Sequence, residues 1–500
     1  MPVMVLTAVT VAIVMLAAMV AWLPLGGVAH VTDEVAYTLQ SRLLAAGMRQ
    51  GPPGDHPSML LFPFWNTVGG SYAVFPVGWP GLLAIGERLG VPWLVNPVLA
   101  GVLPWLGWRI ARPWLSARGA LLAALALALS PGVLILAGSR MAHTSVLVAL
   151  ALAFVQVRDR SHRRWAPIAG AAVAYTVLAR PFDAVLVGVP LLIWGVWAAS
   201  PGARAALVLL PGLAAGLVLA DNAALTGSLT SFPASVWFDG WVADLGRPPG
   251  CNRLGFGPDV GCAPVLGTWG HTPAKALQIG LDTAARLDRL LLGVPGGSLV
   301  LLVGLWALRR DRRFLTALGV LGALVVGGHA LYWSPGLAYG ARFWHPLYIL
   351  LPVMVGAAAD RLPGKWAWVG VAGLSLAGGS ALYAELAEDY WCTSPALERL
   401  LDDRSVDEGV LFVRSTGTAP TRSWPRLGVD SLTCDPMLAS GTALQLLDPT
   451  RTTGGLQPRH ALPDAESTRA YMATLPVGTR AWLADHRLDT GAWTLTALTP

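Results

Sequence analysis

The sequence predicts an α-helical integral membrane protein with about eleven transmembrane helices, juxtamembrane helices in outward loops and a small C-terminal α/β extracytoplasmic domain. Two observations predict this class. Of the 500 residues, 54% are hydrophobic and only 13% are charged, whereas roughly a quarter of the residues in soluble domains are charged. The apolar residues also fall in blocks of about 16–23, which is long enough to span a hydrocarbon core of about 30 Å.

The apolar blocks predict the spans, with bounds that are uncertain by several residues. The spans lie at 3–25, 93–110, 119–137, 142–157, 165–180, 183–199, 204–220, 296–308, 314–332, 344–360 and 366–383. The first is predicted to be an uncleaved helix, because no Lys or Arg precedes it and no convincing signal-cleavage site follows it. The segment 74–89 contains two prolines and Glu87-Arg88, which favours a helix in the membrane interface over a twelfth span.

Basic residues divide the connections between spans into two groups. One group carries most of the charge, at 109–118, 158–164, 204, 309–313 and 361–365. The short connections of opposite parity contain only Arg140, Arg180 and Arg342. The positive-inside rule places the first group in the cytoplasm, so the N-terminus is predicted to be cytoplasmic. Since the arginines lie between apolar blocks and form no basic face, the net charge of +6 does not indicate nucleic-acid binding.

This topology predicts a membrane module over residues 1–383, with outward loops at about 26–92 and 221–295. The tail, 384–500, is predicted to be an extracytoplasmic domain with strands at GVLFVRS and in TRAWLADHRL and a helix at STRAYMATL. The protein would then lie in a bacterial cytoplasmic (inner) membrane.

All four cysteines fall in segments predicted to face outward. Cys251 and Cys262 lie in the second loop, and Cys392 and Cys434 lie in the tail. An even number confined to an oxidising compartment predicts disulfides. The simplest pairing is Cys251–Cys262 and Cys392–Cys434, although four cysteines allow three pairings.

Two adjacent carboxylates, Asp33 and Glu34, follow the first span in the predicted outward loop. Such a pair can hold a divalent cation such as Mg²⁺ or Mn²⁺, or can take a proton from an attacking hydroxyl. Adjacent helical positions point about 100° apart, so we expect one carboxylate for chemistry and the other for orientation or metal. An alternative is purely structural: Thr32 or Asp33 caps a helix that ends at Gly47, with Glu34 in its first turn.

Other polar residues of the first loop are candidates for the same pocket. They are Tyr37, Asp55 and His56, and a GPPGDHP reversal separates the two helical parts of the loop. His56 is a candidate to help Arg342 bind a phosphate.

Arg342 lies in the segment YGARFWHP, at the predicted outer membrane boundary. A guanidinium between aromatic residues suits a lipid-linked phosphate, because its planar fork binds phosphate oxygens in pairs. Tyr339 is a further pocket candidate. The alternative is an interfacial arginine that merely extends toward the headgroups. Arg140 and Arg180 are weaker candidates of the same kind, and Arg180 has Asp183 as a potential partner.

Two histidines, His143 and His329, lie within apolar segments and are predicted to be hydrogen-bonded core residues. The sequence contains no P-loop, dinucleotide fingerprint, G-x-S-x-G or H-E-x-x-H motif. Energy from cytoplasmic ATP is therefore not indicated, and any chemistry would use an activated substrate that arrives through the membrane.

An ordered series of motifs over residues 1–383 resembles the GT-C superfamily of integral membrane glycosyltransferases. Its nearest members in pattern are bacterial relatives of protein O-mannosyltransferases and of the lipid A aminoarabinose transferase. The motifs are TDEVAY after the first span, YAVFPVGWPGLLA, Ser130-Pro131 followed by SRMAHTSVLVALALAFV, ARPFDAVLVGVP, Asn222 with Thr226-Gly227, and YGARFWHP.

The resemblance implies a role for a loop aspartate and for a basic residue. The aspartate acts as catalytic base or helps to bind a metal, which corresponds to Asp33 with Glu34 beside it. The basic residue binds the phosphate of a polyprenyl-phosphate sugar, which corresponds to Arg342. The sequence departs from the family pattern at F-P-V-G, where a Pro-Pro pair is expected, and at 140–143, where many relatives have an aspartate. These departures leave the donor and the metal dependence open.

The sequence thus predicts an outward-facing hexosyl- or pentosyltransferase that moves a sugar from a polyprenyl-phosphate carrier to a hydroxyl of a lipid, glycan or protein. One alternative is a transporter or flippase of lipid-linked saccharides, a class that usually has ionisable groups at the midplane and internal repeats. Another is a non-catalytic cell-envelope assembly protein whose tail binds glycan. The clustering of acids in the outward loops and the lack of a visible repeat favour the enzyme.

Overall fold

The structure, a computed structural model, describes residues 2–53, 57–60, 62–67, 69–160, 164–387, 390–427, 429–434, 442–450, 456–461 and 465–498. Two candidate site residues, Asp55 and His56, lie outside the described residues.

Helices form most of the membrane module and its loops. In chain order they are α1 Pro2–Trp22, α2 Thr32–Ala45, α3 Gly78–Arg88, α4 Val95–Ala100, α5 Leu103–Ala111, α6 Ala117–Leu129, α7 Pro131–Gly138, α8 His143–Asp159, α9 Trp165–Ala179, α10 Pro181–Trp197, α11 Pro201–Thr226, α12 Pro233–Asp244, α13 Pro273–Leu292, α14 Leu299–Leu308, α15 Arg312–Ala330, α16 Leu351–Ala359, α17 Leu374–Leu386, α18 Ala396–Asp403 and α19 Ala465–Met472. Short 3₁₀ helices lie at Pro57–Leu60, Pro92–Leu94, Arg342–Ile349, Tyr390–Cys392, Pro425–Leu427 and Thr442–Leu446, with π turns at Ala184–Gly188 and Val369–Gly373 and a short α turn at Trp366–Trp368.

Five helices of the described chain are long and apolar enough to cross a membrane, and a sixth span results if α6 and α7 are taken together. The five are Val3–Trp22, Pro92–Ala111, Pro201–Thr226, Arg312–Ala330 and Trp366–Cys392. Three predicted spans correspond to the shorter apolar helices Trp165–Ala179, Pro181–Trp197 and Leu299–Leu308. The predicted count of eleven is therefore not confirmed.

Helix breaks explain part of this difference. Pro131 has no N–H and its ring clashes with the preceding turn, so the predicted span 119–137 bends by 46° between α6 and α7. The predicted span 344–360 is a 3₁₀ helix, Arg342–Ile349, followed by α16, and all nine residues of α16 are buried. Apolar sequence in these segments reflects burial inside the protein as much as contact with lipid.

Eight short strands lie in the described part of the chain. They are β1 Trp65–Asn66, β2 Tyr72–Ala73, β3 Gly409–Thr416, β4 Thr421–Trp424, β5 Val429–Thr433, β6 Leu456–His460, β7 Ala481–Arg487 and β8 Ala492–Leu498. β1 and β2 form a hairpin beside α2. In the tail, a four-stranded sheet has the order β6-β3-β7-β8, in which β3 is parallel to β6 and β7, and β7 is antiparallel to β8. With α18 and α19, this sheet gives the tail its predicted α/β character.

Disulfides join Cys251 to Cys262 and Cys392 to Cys434, which is the simplest of the three pairings that the sequence leaves open.

The tail is tied to the membrane module at several points. Tyr390 and Trp424 are fully buried in the main apolar core. Gln445 of the tail accepts a hydrogen bond of 2.9 Å at Oε1 from the backbone N–H of Ala29 in the first loop. The tail therefore contributes to the packing around the first loop and the 339–342 segment.

Candidate active site

The N-terminus of α2 presents the two predicted carboxylates in different ways. The helix begins at Thr32 with Val31 as its N-cap, and it ends at Ala45. The predicted cap at Thr32 or Asp33 and the predicted end at Gly47 are therefore wrong. Asp33 is the second helical residue and Glu34 the third. Because the cap falls one residue earlier, the Asp33 carboxylate is not used to cap the helix.

Glu34 is only 1% exposed, and both of its carboxylate oxygens accept hydrogen bonds. Oε2 accepts from the backbone N–H groups of His30 and Val31 at 2.9 and 3.2 Å. Its third donor is the hydroxyl of Tyr339 at 2.8 Å. Oε1 accepts from the backbone N–H of Arg140 at 2.6 Å. These five residues are called the Glu34 cluster. Charge-assisted bonds of this kind are roughly twice as strong as neutral ones, so Glu34 holds three distant segments together.

Arg140 belongs to the same cluster and does not point freely into a pocket. Its Nη1 donates to Thr38 Oγ1 at 3.0 Å, and its Nη2 donates to the carbonyl oxygen of Gly27 at 2.6 Å. Its own carbonyl oxygen accepts a 2.7 Å hydrogen bond from the indole of Trp79. Arg140 therefore fastens the turn between α7 and α8 to the first loop.

Tyr339 connects α2 to the segment that carries Arg342. It adopts a left-handed backbone conformation with φ 57°, and Gly340 follows with φ 74°. Its backbone N–H donates to the hydroxyl of Tyr390 at 2.7 Å, so the tail also supports this turn. Burial, reinforced by the charge of Glu34, raises the pKa of the Tyr339 hydroxyl well above its ordinary value, so that it remains a hydrogen-bond donor.

Asp33 and Arg342 are brought together by this arrangement. The distance from Asp33 Oδ2 to Arg342 Nη1 is 3.7 Å, and the two side chains are 19% and 10% exposed. Arg342 also makes a weak 3.9 Å contact with the sulfur of Met141 and lies over the ring of Phe343, at 5.2 Å. Within the described residues, the buried Nε of Arg342 has no hydrogen-bond partner. A nearly buried guanidinium with unused donors is an anion-binding group.

A second guanidinium, that of Arg180, also lies near the Phe343 ring. Arg180 pairs with Asp183, and its Cζ is 5.9 Å from the centre of the Phe343 ring. Tyr37 is buried with its ring 4.7 Å from Phe75. Burial raises the pKa of Tyr37, and the charge of Asp33 adds to this effect while those of Arg180 and Arg342 oppose it. Arg180 and Tyr37 therefore belong to the same electrostatic environment as Asp33 and Arg342.

Three histidines complete this polar region, two of them inside helices and one in the 342–349 segment. His143 starts α8 and its ring is 6.3 Å from that of His345. His329 Nδ1 donates to the carbonyl oxygen of Val325 at 2.8 Å, and the ring stacks on Phe343 at 5.5 Å. The prediction of a hydrogen-bonded core residue is wrong for His143, because neither of its ring nitrogens has a partner within the described residues. His345 was missed, although it follows Arg342 by three residues in YGARFWHP.

No group of three or more His, Cys, Asp or Glu side chains in the described part of the chain is arranged to hold a metal ion. Of the predicted pair, Glu34 uses both oxygens in hydrogen bonds, which leaves Asp33 as the acid able to contact a cation.

Neither a family model nor a curated protein matches this chain. Among solved structures, ArnT from Cupriavidus metallidurans bound to undecaprenyl phosphate is 16% identical, with 90% of this chain and 77% of that chain covered and a TM-score of 0.46. The archaeal oligosaccharyltransferase AglB from Archaeoglobus fulgidus, in complex with an inhibitory peptide and a dolichol-phosphate, is 12% identical over 76% of this chain and 56% of its own, with a TM-score of 0.33.

The arabinofuranosyltransferase AftD from Mycobacteria is 16% identical and has a TM-score of 0.34; 91% of this chain aligns with 35% of that chain. All three identities are below 25% and all three TM-scores are below 0.5. The function is therefore inferred from the residues of the site.

Proposed function

We propose that this protein is a GT-C type membrane glycosyltransferase that transfers a sugar from a polyprenyl-phosphate donor to an acceptor hydroxyl, at the outer face of the cytoplasmic membrane. The observation that carries this proposal is the 3.7 Å approach of the Asp33 carboxylate to the nearly buried Arg342 guanidinium. A base and an anion-binding group in contact are what this reaction requires. The acceptor hydroxyl belongs to a lipid, a glycan or a protein.

Arg342 would bind the donor phosphate. Its Nη1 contacts Met141, so the guanidinium lies close to the first turn of α8. The N-cap residue of that helix is Ala142, which provides no side-chain cap, and the N-terminus of a helix carries a partial positive charge. A phosphate at Arg342 would therefore be stabilised by the guanidinium charge and by the partial positive charge at the N-terminus of α8. The apolar spans would accommodate the lipid tail.

Asp33 would act as the base. As the acceptor oxygen attacks the anomeric carbon of the donor sugar, Asp33 takes the hydroxyl proton. The bond between that carbon and the phosphate oxygen breaks, and the polyprenyl phosphate leaves with the electron pair. Arg342 stabilises the charge that develops on the leaving oxygen. The phosphate also competes with Asp33 for Arg342, so donor binding loosens the contact that restrains the base.

The Glu34 cluster would set the distance between base and phosphate. It joins α2, the turn before α8 and the 339–342 segment through hydrogen bonds of 2.6 to 3.2 Å. Glu34 is therefore proposed to be a positioning residue. If the reaction uses Mg²⁺ or Mn²⁺, Asp33 is the member of the acidic pair that would hold it, and the cation would help to neutralise the phosphate charge.

The substitution Asp33→Asn tests the proposal. In purified protein in lipid nanodiscs, we expect transfer from radiolabelled undecaprenyl-phosphate sugars to fall about 10²–10⁴-fold, the usual contribution of a positioned base. Binding of undecaprenyl phosphate and the melting temperature should be retained. The matched control is Asp259→Asn, which makes the same change at a 53% exposed side chain of the second loop.

Transfer at the wild-type rate by Asp33→Asn would contradict the role of Asp33 as the base. An absence of transfer by the wild-type protein from every donor tested would contradict the enzyme and favour a flippase or an assembly protein. Those two alternatives separate in a further measurement: a flippase would still move a fluorescent lipid-linked saccharide across proteoliposomes, whereas an assembly protein would not.

A further inference from the structure

Two buried imidazole rings border the proposed phosphate site without taking part in the reaction described above. His143 is 3% exposed and His345 is 2% exposed. Their ring centres are 6.3 Å apart, and the rings are nearly perpendicular. His143 lies two residues after Met141, which Arg342 contacts, and His345 lies three residues after Arg342 in the same 3₁₀ helix. Both rings are therefore next to the place where the donor phosphate would bind.

Both rings have nitrogens without the hydrogen bonds that His30 and His271 make. His329 is intermediate in the described part of the chain, since its Nδ1 is bonded to Val325 and its Nε2 has no partner. Within the described residues, neither ring nitrogen of His143 has a partner, nor does Nε2 of His345. By contrast, both ring nitrogens of His30 lie 2.9 Å from backbone carbonyl oxygens, and Nε2 of His271 lies 3.0 Å from another. Buried polar groups in native proteins are nearly always paired, so the unpaired nitrogens point to a ligand.

We propose that His143 and His345 bind hydroxyl groups of the donor sugar, an inference that rests on the proposed function. A neutral imidazole has one N–H donor and one acceptor nitrogen. A deprotonated phosphate offers acceptors only and would leave the acceptor nitrogen of His143, whose two ring nitrogens are both unpaired within the described residues, without a partner. A sugar hydroxyl both donates and accepts, so it pairs with either nitrogen.

The geometry agrees with this division of roles. The sugar is attached directly to the phosphate, so its ring must lie within one bond of the group that Arg342 binds. The charged partner of the phosphate is Arg342, whose Cζ lies 5.2 Å from the centre of the Phe343 ring, and the ion-paired Arg180 lies 5.9 Å from the same ring. The histidines then form an uncharged wall beside them, and they select the sugar by the positions of its hydroxyls. Substrate discrimination is large where a site built to hydrogen-bond a hydroxyl meets a ligand that lacks it.

The test compares the affinity for undecaprenyl phosphate with the affinities for a panel of undecaprenyl-phosphate pentoses and hexoses. In the wild-type protein, we expect one sugar to bind about tenfold or more tightly than the bare lipid phosphate. His143→Ala and His345→Ala should lose that difference, while their affinity for bare undecaprenyl phosphate stays within about twofold of the wild type. His271→Ala is the matched control, since it removes a buried imidazole in the second loop that is already paired.

Each other outcome overturns the inference. If both histidine variants keep the sugar-dependent difference, the rings do not contact the sugar. If they lose affinity for both kinds of lipid in equal measure, the rings bind the phosphate or support the fold. If no sugar of the panel binds more tightly than the bare lipid phosphate, the sugar subsite is absent while lipid-phosphate binding stands. A wild-type protein that binds no undecaprenyl phosphate at all would instead contradict the proposed function itself.

Discussion

The two sides of the first turn of α2 differ in how fully their polar groups are paired. On one side, both oxygens of Glu34 accept hydrogen bonds, and the donors come from three separate segments. On the other side, Asp33 has one ionic contact at 3.7 Å, and its partner Arg342 has an unpaired Nε. The contrast falls between adjacent residues, whose side chains project about 100° apart.

This difference separates stability from chemistry. A buried carboxylate with four charge-assisted hydrogen bonds is costly to disturb, because its removal leaves every donor unpaired. A carboxylate and a guanidinium with unused bonding capacity can instead exchange their loose contact for a substrate. The paired side therefore fixes the position of the unpaired side. Removing each acid in turn tests this difference between the two sides.

The largest effect is expected for Glu34→Ala. We expect the free energy of unfolding to fall by about 3–5 kcal/mol, the usual cost of removing one partner from a buried ionic network. Asp33→Ala should cost about 1 kcal/mol or less, since its single ionic contact in the described structure is loose, at 3.7 Å, and its carboxylate is partly exposed to solvent. The measurement is the melting temperature of each purified protein in the same nanodiscs. Melting is detected as the loss of the monodisperse peak in size-exclusion chromatography.

Glu34→Gln covers the case in which the alanine variant does not accumulate in the membrane. The amide retains one acceptor oxygen, so this variant should lie between Glu34→Ala and the wild type. Equal stability of Glu34→Ala and Asp33→Ala would abolish the contrast between the two sides of the turn.

Sequence reasoning found the acidic pair and Arg342 because their residue types suit phosphate and hydroxyl chemistry, and these side chains do meet. It did not separate Asp33 from Glu34, since the partners of Glu34 at positions 140 and 339 are brought near only by the tertiary fold. The long spans near 3–25, 204–220 and 314–332 followed from length and hydropathy. The count of spans did not, because burial inside the protein makes α16 as apolar as a lipid-facing helix.

Arg342→Gln should produce the next largest effect. It removes the positive charge and most of the donors from the unpaired side, so the affinity for undecaprenyl phosphate should fall about 100-fold, or about 2.7 kcal/mol. Arg414→Gln, at a 50% exposed side chain in the tail, is the control and should bind like the wild type. Isothermal titration or native mass spectrometry would measure both. Unchanged binding by Arg342→Gln would mean that the phosphate is held elsewhere.

Tyr339→Phe should have the smallest effect, because it removes a single hydrogen-bond donor from the paired side. The substitution keeps the ring, whose centre lies 5.1 Å from that of Tyr390, and removes only the hydroxyl that donates to Glu34 at 2.8 Å. Because Glu34 keeps three other donors, we expect a loss of about 1.5 kcal/mol, the lower end of the range for a hydrogen bond to a charged group.

The pH dependence of this loss sharpens the test. The pKa of Tyr339 is raised in the folded protein by burial and then by Glu34. Because the pKa is raised, the stabilisation by the hydroxyl is fully present below its ordinary pKa of about 10. This stabilisation is lost only as the pH rises past the pKa of the folded state. The difference in melting temperature between wild type and Tyr339→Phe should thus be constant from about pH 6 to about pH 9. A difference that shrinks as the pH rises through that interval would show that the Tyr339 proton is not held between the tyrosine and Glu34.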